Sequence, residues 1–131
     1  MDTETARATP LSPVSVKVAM RGHEVVQDKP AASGGADKGP MASELLLAAL
    51  LACQNSTFVK VAAKRRLEAR LERLDGEMDF KDGAISALRV AFHVATAATD
   101  EQVATVLRLT DKACTISQAL KVHVEASFKR V

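Results

Sequence analysis

The feature that most limits how this chain can fold is an unbroken run of apolar residues from Leu45 to Cys53. Because helical residues point in every direction around the axis, a helix built from this run is apolar on all sides and needs protein around it. The run is too short to cross a bilayer, which takes about 20 apolar residues. We therefore predict a central buried helix of about six turns over Pro40 to Lys60, with Cys53 near its middle.

The residues at the two ends of this stretch are those expected at the ends of a helix. Ser43 is a capping residue, and Glu44 adds a negative charge where the helix dipole is positive. Lys60 and the basic run from Lys64 to Arg66 add positive charge at the other end, where the dipole is negative. The charges therefore support a helix, and we expect the basic run to be its solvated end.

Composition places the chain among single globular domains. Its 131 residues are 47% hydrophobic, which is enough apolar surface for one core. Residues 1–12 are polar and contain Pro10, so we expect a loose tail there and a folded domain over residues 13–131. A net charge of +2, from 18 basic and 16 acidic residues, and the lack of Trp and Tyr argue against nucleic acid as a partner.

No segment of the sequence has the pattern of a targeting signal. The first ten residues lack the apolar core of a signal peptide, so we expect a cytoplasmic protein that does not associate with membranes. In that reducing compartment, Cys53 and Cys114 are expected to be free thiols rather than a permanent disulfide. On the residues alone, each cysteine has two interpretations, an inert core residue or a redox-active one.

Alternation of apolar and polar residues predicts five strands, and apolar residues at helical spacing predict a second helix. A capping box from Thr99 to Gln102 precedes that helix, which we expect to end near Ala113. Lys81 to Gly83 predicts a hairpin turn, and Gly76 is expected to mark a bulge. The predicted fold is α+β with antiparallel sheet, in the order β-β-α-β-β-α-β. Its strands cover residues 14–20, 23–28, 69–80, 88–94 and 121–128.

Two further features predict no site. The stretch from Ser33 to Pro40 is rich in glycine, but its spacing matches no phosphate-binding motif, so we interpret it as a connecting loop. His23, His93 and His123 are isolated and lack the spacing of metal ligands. We therefore expect neither a metal nor a cofactor.

The sequences around the two cysteines resemble those of a known family. The first is Glu44-Leu-Leu-Leu-Ala-Ala-Leu-Leu-Ala-Cys53, and the second is Ala113-Cys114-Thr-Ile-Ser-Gln-Ala-Leu120. Together with Arg21-Gly-His, Asp28-Lys-Pro30 and Gly34-Gly-Ala-Asp-Lys-Gly-Pro40, they are similar to the OsmC/Ohr family of osmotically induced and organic-hydroperoxide-resistance proteins, in its OsmC-like branch. The resemblance covers residues 14–131.

This resemblance implies both a fold and an activity. The fold would be an intertwined homodimer, with antiparallel sheet wrapped around a long central helix and active sites at the subunit interface. The activity would be thiol-dependent reduction of organic hydroperoxides, after which a lipoyl-type dithiol or a small thiol restores the reduced protein. Cys53 would be the peroxidatic cysteine and Cys114 the resolving one.

A peroxidatic cysteine must be ionised, whereas burial in an apolar helix raises the pKa of a thiol. A cation beside Cys53 would offset that effect. By the same resemblance Arg21 is the candidate for this cation, and Arg89 is the second choice.

Two positions depart from the pattern of the family. Ser43 stands where active members usually hold the arginine with a glutamate, and Thr115 stands where a proline commonly follows the second cysteine. The first departure leaves an alternative open. In it, the chain is a non-peroxidatic OsmC-like protein that binds a small apolar or electrophilic ligand at the dimer interface.

Overall fold

The computed structural model describes residues 2–131, which divide into two compact units, residues 2–46 and residues 47–131. The first unit contains three strands and the start of a long helix. The second contains the rest of that helix, three more strands and two further helices. The strands are β1 Arg7–Ser12, β2 Ser15–Met20, β3 His23–Gln27, β4 Arg70–Lys81, β5 Ala84–Ala95 and β6 Val124–Arg130, and the helices are α1 Ala42–Lys64, α2 Asp100–Ala113 and α3 Thr115–Ala119.

In the first unit, β1, β2 and β3 form an antiparallel sheet in that order. The expected loose tail is therefore wrong for residues 7–12, which pair with β2 from Arg7 opposite Ala19 to Ser12 opposite Ser15. Every residue of β1 is exposed, so no apolar alternation marks the strand in the sequence. Pro10 is tolerated because β1 lies at the edge of the sheet. A residue without an N–H at an edge need not interrupt the hydrogen bonds between strands.

The glycine-rich loop that follows β3 is a fixed connection. The carboxylate of Asp28, only 2% exposed, accepts backbone N–H groups from Lys29 at 2.7 Å, Ala36 at 3.2 Å and Lys38 at 3.1 Å. These hydrogen bonds, that of Lys29 most strongly, hold the pKa of Asp28 below its ordinary value. A Cβ at Gly35 would lie 1.9 Å from the carbonyl oxygen of Lys29, so only glycine fits there.

The start of α1 differs from the prediction. The helix begins at Ala42, so Ser43 lies inside its first turn and does not cap it. Glu44, the third residue of the helix, caps it instead. Its Oε1 accepts the backbone N–H of Met41 at 2.8 Å. A carboxylate at this position also interacts favourably with the helix dipole.

In the second unit, β4, β5 and β6 form a mixed sheet in that order. β4 and β5 are antiparallel and joined by the predicted hairpin turn, in which Asp82 and Gly83 adopt φ values of 52° and 79°. β6, however, runs parallel to β5, so the expectation of a wholly antiparallel sheet is wrong here. The two helices between these strands provide the crossover connection that parallel neighbours require.

The core of the second unit lies where α1 and α2 meet the inner face of β5. Phe58 of α1 and Phe92 of β5 are both buried, and their ring centroids lie 5.5 Å apart. The predicted capping box is confirmed, since Thr99 Oγ1 accepts the N–H of Gln102 and Gln102 Oε1 accepts the N–H of Thr99. The other buried apolar residues of this core are Leu50, Ala62, Leu88, Val90, Val94, Val103, Val106, Leu107, Cys114 and Val124.

Gly76 allows a close approach of α1 to β4 and does not mark a bulge. The register of β4 and β5 shifts between Leu71 and Arg73 and between Asp79 and Phe80, away from Gly76. A Cβ at Gly76 would lie 3.0 Å from side-chain carbons of Leu47 and Leu51. The close packing of these two leucines explains why a glycine lies in the middle of the strand.

The surface of α1 is only partly covered within one chain, contrary to the expectation of burial on all sides. Ala48, Ala49 and Ala52 are exposed, and Val59 retains 56% of its accessible surface. The helix has 23 residues and is apolar enough to cross a membrane by length and composition, so it is longer than its apolar run indicated. Leu50 and Phe58 are nevertheless buried in protein, as in the core helix of a globular unit.

Candidate thiol site

The structure brings Cys53 and Cys114 together within the second unit. Cys53 is half-buried on α1, and Cys114 is fully buried at the junction of α2 and α3. Both are free thiols, and each lies close enough to the other to shift its pKa. The proximity that a two-cysteine cycle requires is therefore present, while the roles of the two residues remain predictions.

Cys114 is held in place by the polypeptide around it. It has an extended backbone, with φ −75° and ψ 112°. It is both the C-cap residue of α2 and the N-cap residue of α3. Its Sγ accepts the backbone N–H of Ser117 at 3.4 Å, and its carbonyl oxygen accepts that of Gln118 at 3.0 Å. The hydroxyl of Ser117 donates in turn to the carboxylate of Asp111. The thiol consequently has a defined position against Cys53.

The surroundings of Cys53 favour its thiolate. Burial raises the pKa of the Cys53 thiol, but hydrogen bonds from Cys114, the Ile116 amide, the Thr57 hydroxyl and the Thr115 amide outweigh it, so the pKa is lowered. The Sγ of Cys53 and Oγ1 of Thr57 are 3.9 Å apart, one helical turn from each other. A lowered pKa is the property that a thiol nucleophile needs.

The pKa of Cys114 moves in the opposite direction. Burial raises it, and the hydrogen bond to Cys53 and the negative charge of that residue raise it further. The two thiols interact, so the first deprotonation is a property of the pair and not of either residue alone. The opposite directions of the two pKa shifts place the resulting negative charge on Cys53. The raised pKa favours the protonated form of Cys114.

The arginine candidates have different positions. Arg21 lies in the first unit, where it forms the β2–β3 turn with φ 49° and is exposed, so its role beside Cys53 stays a prediction. Arg89 is on the face of β5 opposite the core residues Leu88 and Val90. Its guanidinium makes a two-pronged contact with Asp79, at 2.8 and 2.9 Å. Arg89 is therefore occupied on the outer face of the sheet and is not the cation for Cys53.

Three groups at this site escaped prediction from the sequence. Thr57 was detectable, because it follows Cys53 by four residues and so lies on the same side of a helix. The amides of Thr115 and Ile116 are backbone groups, so residue types reveal little about them. Their position beside Cys53 depends on the chain leaving α2 at Cys114 and starting α3 at once.

The charged residues of the second sheet form no metal site. His93 is buried, and its Nε2 lies 2.9 Å from Oδ2 of Asp75, on the same outer face as Arg89. The pKa of Asp75 is lowered first by the hydrogen bond from Arg73 and also by His93. Within residues 2–131, no group of three or more His, Cys, Asp or Glu side chains has the arrangement of metal ligands.

The chain combines helices with two three-stranded sheets, and it carries two neighbouring free thiols, one of them half-buried on the long helix α1. These features define a dithiol protein of the α+β class. Within that class the chain belongs to the OsmC-like family, since the family model described as OsmC-like protein matches residues 35–129. The resemblance seen in the sequence is thereby confirmed. No curated protein matches the sequence.

Solved structures show the same fold at low identity. The OsmC like protein from Mycoplasma pneumoniae has a TM-score of 0.87 at 12% identity, covering 99% of this chain and 98% of that one. An organic hydroperoxide resistance protein OsmC from Legionella pneumophila has a TM-score of 0.70 at 17% identity, with 99% and 97% covered. The organic hydroperoxide resistance protein OhrB of Bacillus subtilis has a TM-score of 0.66 at 17% identity, with 99% and 98% covered. These likenesses confirm the predicted fold class.

Proposed function

We propose that the protein reduces organic hydroperoxides with Cys53 as the peroxidatic thiol and Cys114 as the resolving thiol, in defence against oxidative stress. The observation that carries the proposal is the contact between the two cysteines, in which the pKa of one is lowered and that of the other is raised. A peroxidatic thiol needs the first property and a partner within reach. An inert pair of core cysteines needs neither.

The chemistry proceeds in three balanced steps. The Cys53 thiolate attacks the peroxide, so that an S–O bond forms while the O–O bond breaks, and the alkoxide leaves and takes up a proton as the alcohol. The Cys114 thiol then attacks the sulfenic sulfur of Cys53, giving a disulfide and one water. A lipoyl-type dithiol or two small thiols reduce the disulfide by exchange and become oxidised themselves.

Three considerations support an organic peroxide and a cytoplasmic setting. Two solved structures of the same fold are named as organic hydroperoxide resistance proteins. Cys53 packs against the apolar core of the second unit. Moving an alkyl group from water to such surroundings is favourable, whereas moving a polar group there costs free energy. The cycle also needs both cysteines reduced at rest, a condition that a reducing compartment such as the cytoplasm provides.

The same proposal includes a homodimer. Ala48, Ala49, Ala52 and Val59 leave an apolar side of α1 exposed in the single chain, and a second α1 would cover it. Small side chains allow two helices to approach closely. Arg21 is proposed to reach the thiolate in that assembly, which the resemblance to the family implies.

The alternative is an OsmC-like protein that binds a small apolar or electrophilic ligand without reducing peroxide. Ser43 favours it, because a hydroxyl cannot make the charge-assisted contact with an arginine that a glutamate makes. In this alternative, Cys53 would form adducts with the ligand, or would take no part. Direct reaction with peroxide separates the two functions.

Mixing the fully reduced protein with cumene hydroperoxide in a stopped-flow instrument tests the proposal. We expect one peroxide to be consumed per chain, with the loss of both thiols, because the cycle without reductant stops at the disulfide. Mass spectrometry of the product should find an intramolecular bond between Cys53 and Cys114. Unreacted thiols with stoichiometric binding of an apolar probe would instead support the alternative function.

Ser43→Glu is expected to increase the rate of the peroxide step. If Arg21 stabilises the thiolate, a carboxylate at residue 43 would hold its guanidinium by a charge-assisted contact and reduce the reorganisation needed for reaction. We expect an increase of about tenfold in single-turnover rate, equivalent to about 1.4 kcal/mol of barrier. Ser43→Gln is the matched control without charge. A slower Ser43→Glu variant would show that Arg21 has been assigned the wrong role.

A further inference from the structure

We propose that a basic cleft at the far end of α1 binds a small organic phosphate. The cleft has a volume of about 610 Å³ and lies where the end of α1, the start of β4, the end of β5 and the start of α2 meet, all within the second unit. Small-molecule sites usually have about 300 to 1,000 Å³. Arg65 in its lining follows Cys53 by twelve residues, or about 18 Å along α1. The basic cleft is thus separate from the thiol pair, and the inference does not rest on the proposed function.

The positive charge of the basic cleft is not neutralised within the chain. Three exposed arginines line it, namely Arg65, Arg66 and Arg70. Among residues 2–131, the arginines that form ion pairs are others, Arg73, Arg89 and Arg130. Glu68 is the acidic residue in the lining, so the lining has a formal charge of +2. Three guanidinium groups are therefore available to an anion.

Arg66 has a backbone conformation that favours glycine. Its φ is 54°, in the left-handed region. The end of α1 closes around it, because the N–H of Leu67 donates to the carbonyl of Ala62 at 2.9 Å and the N–H of Arg66 to that of Ala63 at 3.1 Å. Glycine is the usual residue at this position, since it has no Cβ to clash. Strained residues of this kind cluster at binding sites, and this one brings a guanidinium to the basic cleft.

Hydrogen bonds fix the walls of the basic cleft. The Thr96 hydroxyl donates to the Glu68 carbonyl at 2.7 Å and so ties the residues before β4 to those after β5. The guanidinium of Arg130 donates to the carbonyls of Thr96 at 3.0 Å and Ala98 at 2.6 Å, and to the Asp100 carboxylate at 2.7 Å. The charge of Asp100 is therefore already paired. Because the walls are formed before a ligand arrives, binding has little ordering to oppose it.

The lining matches both parts of an organic phosphate. A planar guanidinium can donate two parallel hydrogen bonds to a phosphate, and several of them together suit a dianion better than a single carboxylate. The lining also has an apolar part, which consists of Leu67, Ala69, Ala95, Ala97 and Ala98. Contact with these side chains removes the carbon skeleton of a ligand from water, which is favourable.

Titration of the full chain with phenyl phosphate, followed by its amide NMR spectrum, tests the proposal. Phenyl phosphate combines an apolar ring with a group that is a dianion at slightly alkaline pH. We expect amide shifts in residues 65–70 and 95–98. The affinity should be at least about threefold higher than for inorganic phosphate, which has no ring to remove from water.

Arg66→Gly separates binding from stability. Glycine adopts the left-handed conformation without strain, so the melting temperature should equal or exceed that of the parent. The affinity for phenyl phosphate should nevertheless fall about tenfold, since a charge-assisted contact is lost. Arg70→Gln removes one charge from the same lining, and the same loss is expected. Arg7→Gln, at an exposed residue of β1 in the first unit, is the matched control and should bind like the parent.

Several results would overturn the proposal. They are the absence of shifts in residues 65–70 and 95–98, equal affinity for phenyl phosphate and inorganic phosphate, and tighter binding of succinate than of phenyl phosphate. Equal weakening in Arg7→Gln would reduce the effect to unspecific attraction between charges. If Arg66→Gly binds like the parent but melts at a lower temperature, the side chain serves the fold and not a ligand. If Arg66→Gly does not fold, the comparison of Arg70→Gln with Arg7→Gln decides the question.

Discussion

Replacing Cys53 with serine is expected to abolish peroxide consumption by the reduced protein. A hydroxyl at this position is not ionised at neutral pH, so none of the donors that lower the pKa of the Cys53 thiol has an anion to stabilise. Serine occupies nearly the same volume, and the half-buried position tolerates a hydroxyl that can bond to Thr57. The loss should therefore be chemical, with the melting temperature close to that of the parent.

Cys114→Ser is the informative partner of that variant. It leaves the nucleophile in place, so one rapid turnover should still occur and leave a sulfenic acid on Cys53, which dimedone would trap. Multiple turnovers with a dithiol should be slowed by about tenfold or more, because the internal resolving step is lost.

The pair of variants separates the roles of the two thiols. Reversed results, with Cys114→Ser inactive and Cys53→Ser still consuming peroxide, would mean that Cys114 is the nucleophile. Equal activity of the parent and Cys53→Ser would end the proposal of a thiol peroxidase. Neither result would alter the assignment of the chain to the OsmC-like family, which rests on residues 35–129.

Local patterns in the sequence predicted most of the elements of this fold. The alternation in β2 and β5 and the capping box at Thr99 are signals that a few neighbouring residues create together. β1 gave no such signal, because its six residues are all exposed. The parallel pairing of β6 was also inaccessible, since the direction of a partner strand depends on how the intervening helices return the chain.

The candidate site, like the fold, could be predicted from the sequence only in part. The two cysteines were recognised through the motifs around them, and the structure places them in contact. The groups that lower the pKa of Cys53 were missed, because two of them are backbone amides at a helix junction. Burial had led us to expect that a cation was required. The groups that lower the pKa of Cys53 are uncharged, so the lowered pKa does not depend on Arg21.

Val59→Asp is expected to dissociate the proposed homodimer. Val59 is 56% exposed on α1 of a single chain, on the helix side that also exposes Ala48, Ala49 and Ala52. If a second α1 covers this side, an aspartate there is an unpaired charge within an apolar interface, which weakens association by several kcal/mol, or roughly 100-fold or more in Kd. Sedimentation velocity at micromolar concentration measures the change directly.

Val131→Asp provides the matched control for this test. Val131 is 54% exposed, almost the same as Val59, but it lies beyond β6 and apart from α1. The same charge should therefore leave the dimer intact at this position, while Val59→Asp yields monomers that also melt at a lower temperature. A parent protein that is a folded monomer would remove the dimer from the proposal. If both variants remain dimeric, the assembly uses a surface other than the exposed side of α1, and the active site would then have to be complete without the second central helix.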